Sequence, residues 1–142
     1  MVNVGIADLN TAKDPDTVVT YALGSCVGIC LYDAEIKLAR LAHIMLPWSK
    51  EAPNSSDNMR RYADTGITEL IQKMCSEGAK KYRLTAKIAG GAQMFSSTSA
   101  VFNIGARNVE AVKKVLGTYN IPIIALCFGM TSPSPYGWAY TR

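Results

Sequence analysis

The chain has one histidine, His43, and four cysteines: Cys26, Cys30, Cys75 and Cys127. These five side chains bound its chemistry. A cysteine attacks as the thiolate, and a thiolate at neutral pH needs a neighbouring cation or base. His43 is the one imidazole that could serve. Cys26 follows Leu23-Gly24-Ser25. Two small residues before a cysteine permit a tight turn and the close approach of a substrate. That turn would leave backbone N–H groups, at Gly24 and Ser25, free to form an oxyanion hole. The cysteines form no C-x-x-C pair, and a single histidine supplies a zinc site poorly, so no metal is expected.

The elements around this pair decide whether it can react. Residues 27–32 are apolar enough for a strand buried on both faces, and residues 37–45 read as a second strand. Together they form a hairpin with residues 34–36 near its tip. Counting outward from the tip puts Cys26 about opposite His43, within hydrogen-bond reach. A base histidine needs an orienting partner on its other ring nitrogen. Asp33 sits at the far tip, whereas Thr20 ends the preceding strand and could reach over. Two readings stay open for each residue: Cys26 is a nucleophile or core, and His43 is a base or structural. Cys30 lies four residues along the strand from Cys26 and reads as core packing. Cys75, near a helix end, reads as inert, and Cys127 lies in a weakly patterned segment.

The remaining pattern supplies the scaffold. Residues 2–6, 17–21, 84–89 and 121–127 read as strands. Ile67, Leu70, Ile71 and Met74 mark an amphipathic helix over 60–77, closed by Gly78. Val109, Val112 and Leu116 mark a second over 104–116, with Asn103 as N-cap and Gly117 as its stop. Residues 47–59 are polar and proline-bearing, hence a loop, and 96–100 form another. Gly90-Gly91 lacks the lysine and Ser/Thr of a phosphate loop. Strands cluster early and two helices come later, which predicts an α+β fold: an α/β sandwich with a mostly antiparallel sheet and two helices packed on one side. Composition agrees with one globular domain, at 49% apolar and 18% charged residues. The net charge of +4 is scattered, which argues against nucleic-acid binding. The sequence has no apolar run long enough for a membrane span and no leader pattern at its start, so a cytoplasmic protein with reduced cysteines is expected.

Five ordered blocks resemble one family. They are Thr20-Tyr21-Ala22-Leu23-Gly24-Ser25-Cys26-Val27; Leu41-Ala42-His43-Ile44-Met45-Leu46-Pro47; Tyr62-Ala63-Asp64-Thr65; Ala86-Lys87-Ile88-Ala89-Gly90-Gly91-Ala92-Gln93-Met94-Phe95; and Asn103-Ile104-Gly105-Ala106-Arg107-Asn108. The chain is similar to the CheD chemoreceptor glutamine deamidases. The resemblance implies that Cys26, His43 and Thr20 are the catalytic residues. It implies hydrolysis of glutamine side-chain amides to glutamate and ammonia through a Cys thioester, with no cofactor. It also implies cytoplasmic chemoreceptor helices as substrates, the CheC phosphatase as partner and, in some members, a methylesterase-like activity. Met94 and Phe95 would form a docking surface or belong to the core. Gly105, Arg107 and Asn108 would pack the second helix or help hold the substrate helix. Gly90 and Gly91 would form a tight turn or a cleft wall.

The resemblance runs to about residue 125. Residues 126–142, rich in proline, glycine and aromatics, are expected to form an atypical tail without good strand or helix. A frameshift or truncation would explain such a tail. A non-catalytic adaptor that binds CheC or receptors is the rival reading.

Overall fold

The computed structural model describes residues 1–21, 23–52, 58–92, 103–128 and 138–140, with backbone alone at 127, 128 and 138–140. Met94 and Phe95 therefore lie outside the described residues, as does the expected loop at 96–100. A five-stranded sheet forms the centre: β2 (Leu9–Lys13), β4 (Val27–Asp33), β5 (Leu38–Ile44), β6 (Thr85–Gly90) and β7 (Ile123–Phe128), in the order β2-β5-β4-β6-β7. Every pair is antiparallel except β6 and β7. Two helices, α1 (Ala63–Ser76) and α2 (Ile104–Thr118), pack on it. This is the α+β class expected from the sequence.

A second, three-stranded sheet, not expected from the sequence, lies beside the five-stranded one. β1 (Val2–Val4) and β3 (Val18–Thr20) pair in parallel, and β8 (Trp138–Tyr140) pairs antiparallel with β3. The tail is thus not without regular structure: β7 runs through Phe128 and β8 follows. Val4 and Val18 of the small sheet pack with Ala12, Cys30, Ala39 and Leu41 of the large one. The opposite face carries Val27, Ile29, Leu31, Ala42 and Ile44, which pack with Ile67, Leu70 and Met74 of α1 and with Val112 and Leu116 of α2. Each large aliphatic side chain buried there contributes roughly 1.5–3 kcal/mol. β4 and β5, covered on both faces, are buried almost throughout, as their apolar runs require.

β2 carries no strand signal in the sequence because Leu9-Asn10-Thr11-Ala12-Lys13 is a polar edge strand that buries two of its five residues, Leu9 and Ala12. α1 starts at Ala63, later than expected, because residues Met59–Arg61 form a separate 3-10 turn. Both helices end with the same device. After α1, Gly78 has φ +102° and Ala79 N–H donates to Met74 O. After α2, Asn120 has φ +56° and Ile121 N–H donates to Leu116 O. These are closures through a residue in the left-handed region, which glycine and asparagine tolerate best. Gly117, the expected stop, instead lies inside the last turn of α2.

Candidate active site

β4 and β5 pair with Gly28 opposite His43 and Val27 opposite Ile44. The expected register is therefore corrected by two residues. Extending that register by one residue sets Cys26, just before β4, against Met45 and diagonally from His43. The tip falls between Asp33 and Leu38, one residue later than the count assumed, which shifts every pair. Parity survives the shift, because a slip of two keeps every side chain on its face. Alternation along β4 and β5 sets Gly28, Cys30, Leu41 and His43 on one face, and Cys26 takes that face if the alternation holds one residue past the strand. Diagonal neighbours on one face lie roughly 7–8 Å apart. A thiol and an imidazole turned toward each other close that span. At the other end of the hairpin, Asp33 bonds Arg83 and not His43, as its distance from the site implied.

Thr20 and His43 are both fully buried between the sheets. Thr20 Oγ1 lies 2.8 Å from His43 Nδ1 and donates to Val4 O at 2.7 Å. A hydroxyl has one proton. With that proton on Val4 O, Thr20 accepts from His43, so Nδ1 carries the ring proton and Nε2 presents its lone pair. Nε2 is buried and has no hydrogen-bond partner. The expected contact between Cys26 and His43 is therefore not formed in this structure. Such catalytic bonds commonly tighten only with substrate.

The electrostatics describe a neutral resting pair. Burial pushes the His43 pKa down to about 4. Burial also raises the Cys26 thiol, partly offset by its own backbone N–H. At neutral pH the site holds a thiol and an uncharged imidazole, not a preformed ion pair. His43 is thus free to accept a proton. Cys30 is buried, and burial drives its thiol far above the ordinary value, so it is no competitor. Cys75 is exposed on α1, away from the hairpin end. The side chain of Cys127 is outside the described residues.

The turn before Cys26 departs from expectation. Cys26 N–H donates to Leu23 O at 2.7 Å, closing a turn in which Gly24 has φ +49°. That amide is engaged, which leaves Gly24 and Ser25 as the turn's candidate oxyanion donors. The end of β6 clamps the turn from one side. Gly91 N–H donates to Cys26 O at 2.8 Å and Ala92 N–H to Gly24 O at 2.7 Å. A Cβ on Gly90 would sit 2.2 Å from Cys26 O, so this approach requires glycine. The Gly90-Gly91 pair is a wall against the turn that carries Cys26.

From the other side Asn108 reaches in from α2. It is fully buried, and Nδ2 donates to Ser25 O at 3.0 Å and Met45 O at 2.8 Å. A signal for this role was available. Asn108 and Val112, one turn apart, lie on the buried stripe of α2, where an amide is out of place unless bonded. Arg107 points elsewhere and pairs with Glu51 at 2.6 Å. Among the described residues no group of three His, Cys, Asp or Glu could hold a metal ion. No described helix is long and apolar enough to cross a membrane.

Comparison with known proteins adds the lineage. The family model described as CheD chemotactic sensory transduction matches residues 45–133. The chain belongs to the CheD family. Among CheD relatives, the chemoreceptor glutamine deamidase of Halalkalibacterium halodurans is 52% identical over 88% of this chain and 78% of its own length. The Bacillus subtilis enzyme of the same name is 46% identical over 88% and 76%. A probable chemoreceptor glutamine deamidase of Lachnoclostridium phytofermentans is 48% identical over 92% and 81%. The fold is also similar to a crystal structure of the hypothetical protein YfiH from Bacillus licheniformis, with TM-score 0.55 and 16% identity. That match covers 87% of this CheD chain and about half of the other, and it speaks to fold alone.

Proposed function

We propose that this CheD chain hydrolyses glutamine side-chain amides on the cytoplasmic helices of chemoreceptors, with Cys26 as nucleophile, His43 as base and Thr20 as its orienting partner. The observation that carries this reading is the buried Thr20–His43 pair. Its hydroxyl proton goes to Val4 O, which leaves Nε2 bare at the end of the hairpin where Cys26 stands. Names borne by relatives about half identical to the chain supply the substrate.

The steps follow from the neutral resting pair. As the glutamine amide enters, Nε2 takes the Cys26 proton and Sγ attacks the amide carbon. The oxyanion that forms draws on Gly24 and Ser25 N–H groups of the adjacent turn. The imidazolium returns its proton to the leaving nitrogen, and ammonia departs, leaving a thioester. Water, deprotonated by His43, attacks the thioester and releases glutamate, and Cys26 recovers its proton. The amide is hydrolysed with no redox change and no cofactor. CheC is carried as a partner by family resemblance.

The test is a mass measurement on a receptor fragment. Wild-type protein is expected to add the mass difference between an amide and an acid at specific glutamines, and Cys26→Ala to abolish this, a loss of about 10⁴-fold or more. Wild-type protein that modifies nothing while binding CheC would favour the adaptor reading.

A further inference from the structure

Both amide protons of Asn108 are held by carbonyls from two different segments. One is Ser25 O, at 3.0 Å, directly before the nucleophile. The other is Met45 O, at 2.8 Å, two residues after the base. Two carbonyl acceptors fix the orientation of the amide, since the oxygen could not take the nitrogen's place without facing both. Oδ1 is left buried without a partner. A buried, half-satisfied amide is unfavourable for stability, so its place on an apolar helix face points to a role beyond packing.

The surrounding backbone is built to admit this contact. A Cβ on Gly105, one turn before Asn108 on α2, would lie 2.5 Å from Ala92 O and 2.6 Å from Gly91 O. Glycine there lets α2 press against the end of β6. Gly91 and Ala92 in turn donate to Cys26 O and Gly24 O. The nucleophile's turn is therefore gripped by β6 on one side and by Asn108 on the other. Met45 N–H is itself held by Arg61 O at 2.8 Å, so the base's strand is fixed beyond its end as well.

We infer that Asn108 is a positioning residue that sets the separation of Cys26 and His43 by tying the Ser25 carbonyl to the Met45 carbonyl. The inference rests on the proposed roles of Cys26 and His43. The amide touches neither reacting atom. It closes the open end of the β4–β5 ladder, beyond the last paired residues Val27 and Ile44, where no strand hydrogen bond holds the two segments at a fixed distance.

The experiment compares Asn108→Ala with Val112→Ala on a receptor fragment that wild type deamidates. Val112 is fully buried one turn along the same helix, so its truncation is a control for lost packing. Asn108→Ala is expected to lower kcat by about 100-fold with KM nearly unchanged, the penalty of a misplaced reacting pair. Val112→Ala is expected to lower Tm and leave kcat near wild type. Asn108→Ser, a shorter side chain with a single donor, is expected to fall between, and it carries the test if the alanine variant does not fold. The pH profile of Cys26 alkylation gives a readout without turnover, expected to change in Asn108→Ala and not in Val112→Ala. Equal kcat losses in the alanine variants, or wild-type kcat in either Asn108 variant, overturns the clamp. A Cys26→Ala arm separates the causes: if it stays active, the nucleophile assignment fails, whereas an inactive Cys26→Ala beside active Asn108 variants refutes the clamp alone.

Discussion

The β4–β5 hairpin buries a titratable side chain toward each end, Asp33 at the tip and His43 near the open end, and treats them in opposite ways. Asp33 accepts from Glu35 N–H at 3.1 Å, Lys80 N–H at 3.0 Å and the Arg83 guanidinium through both oxygens. Burial alone would raise its pKa. The Arg83 bond and the two amides outweigh burial and hold it below the usual carboxylate range. His43 has one partner, Thr20, and a bare Nε2. Burial dominates there and pushes the imidazole down to about 4. A saturated buried charge ties the tip to the 78–83 segment. The buried imidazole at the other end is left neutral and half-satisfied. The tip carboxylate is fully satisfied, whereas the imidazole at the open end keeps one nitrogen bare.

The comparison breaks most visibly at Asp33. Asp33→Ala leaves two backbone amides without their acceptor and Arg83 with Glu35 as its remaining carboxylate partner, so it is expected to reduce unfolding free energy by about 2–3 kcal/mol. Urea titration measures this, and kcat on the remaining folded protein is expected to stay near wild type. The pH sign follows from the depressed carboxyl. Its stabilisation is present above the ordinary carboxylate pKa and is lost as pH falls through the lower folded value. Asp33→Ala is therefore expected to flatten that acid limb. A large fall in kcat without loss of stability would end the division of labour between the two ends.

At the open end the expected effect is smaller in stability and shows in rate. Thr20→Val keeps the shape and removes the hydroxyl that fixes the imidazole tautomer. A kcat loss of about 10–100-fold is expected, less than for a carboxylate orienter because a hydroxyl polarises the ring weakly. His43 also has its own pH signature. Its folded pKa lies below the unfolded value of about 6.5, so the unfolded chain binds more protons between there and about 4. Stability is thus expected to fall as pH drops through that window, and His43→Asn to remove the slope. Denaturant midpoints at closely spaced pH values check it. An unchanged slope in the variant would mean that His43 is not a buried neutral imidazole.

How much of this contrast the sequence disclosed depends on range. Residues 27–32 and 37–45 were legible as a hairpin because strands covered on both faces must be apolar throughout. The open end, with Cys26 and His43, was legible to within two residues, since parity constrains faces while turn length sets register. The second sheet was not legible. β1 and β3 are three residues each, and their apolar faces acquire meaning only against Cys30 and Leu41. Val4, whose carbonyl decides the tautomer of His43, lies on that sheet. Backbone partners of this kind leave no mark on residue type. Gly78 closes α1 as its residue type predicts, but the same rule misjudged the end of α2, where Asn120 and not Gly117 adopts the left-handed conformation.

The smallest effect belongs to Arg107, which the sequence placed beside Asn108 as a docking candidate. Adjacent positions on a helix face about 100° apart, and the two side chains do part company: Asn108 is buried at the hairpin end, and Arg107 is paired at the surface with Glu51. Both partners of that pair are more than a third exposed, so solvent screens the attraction. Arg107→Ala is expected to change stability by less than about 1 kcal/mol and to leave kcat unchanged. If Arg107 also meets the substrate helix, KM for the receptor fragment rises in the variant, and rises more at low salt, while kcat holds. The Arg107 and Asn108 variants thus separate along two axes, KM for the exposed arginine and kcat for the buried amide. A kcat loss in Arg107→Ala comparable to that in Asn108→Ala would show that the two neighbours act as one unit and that burial does not sort their roles.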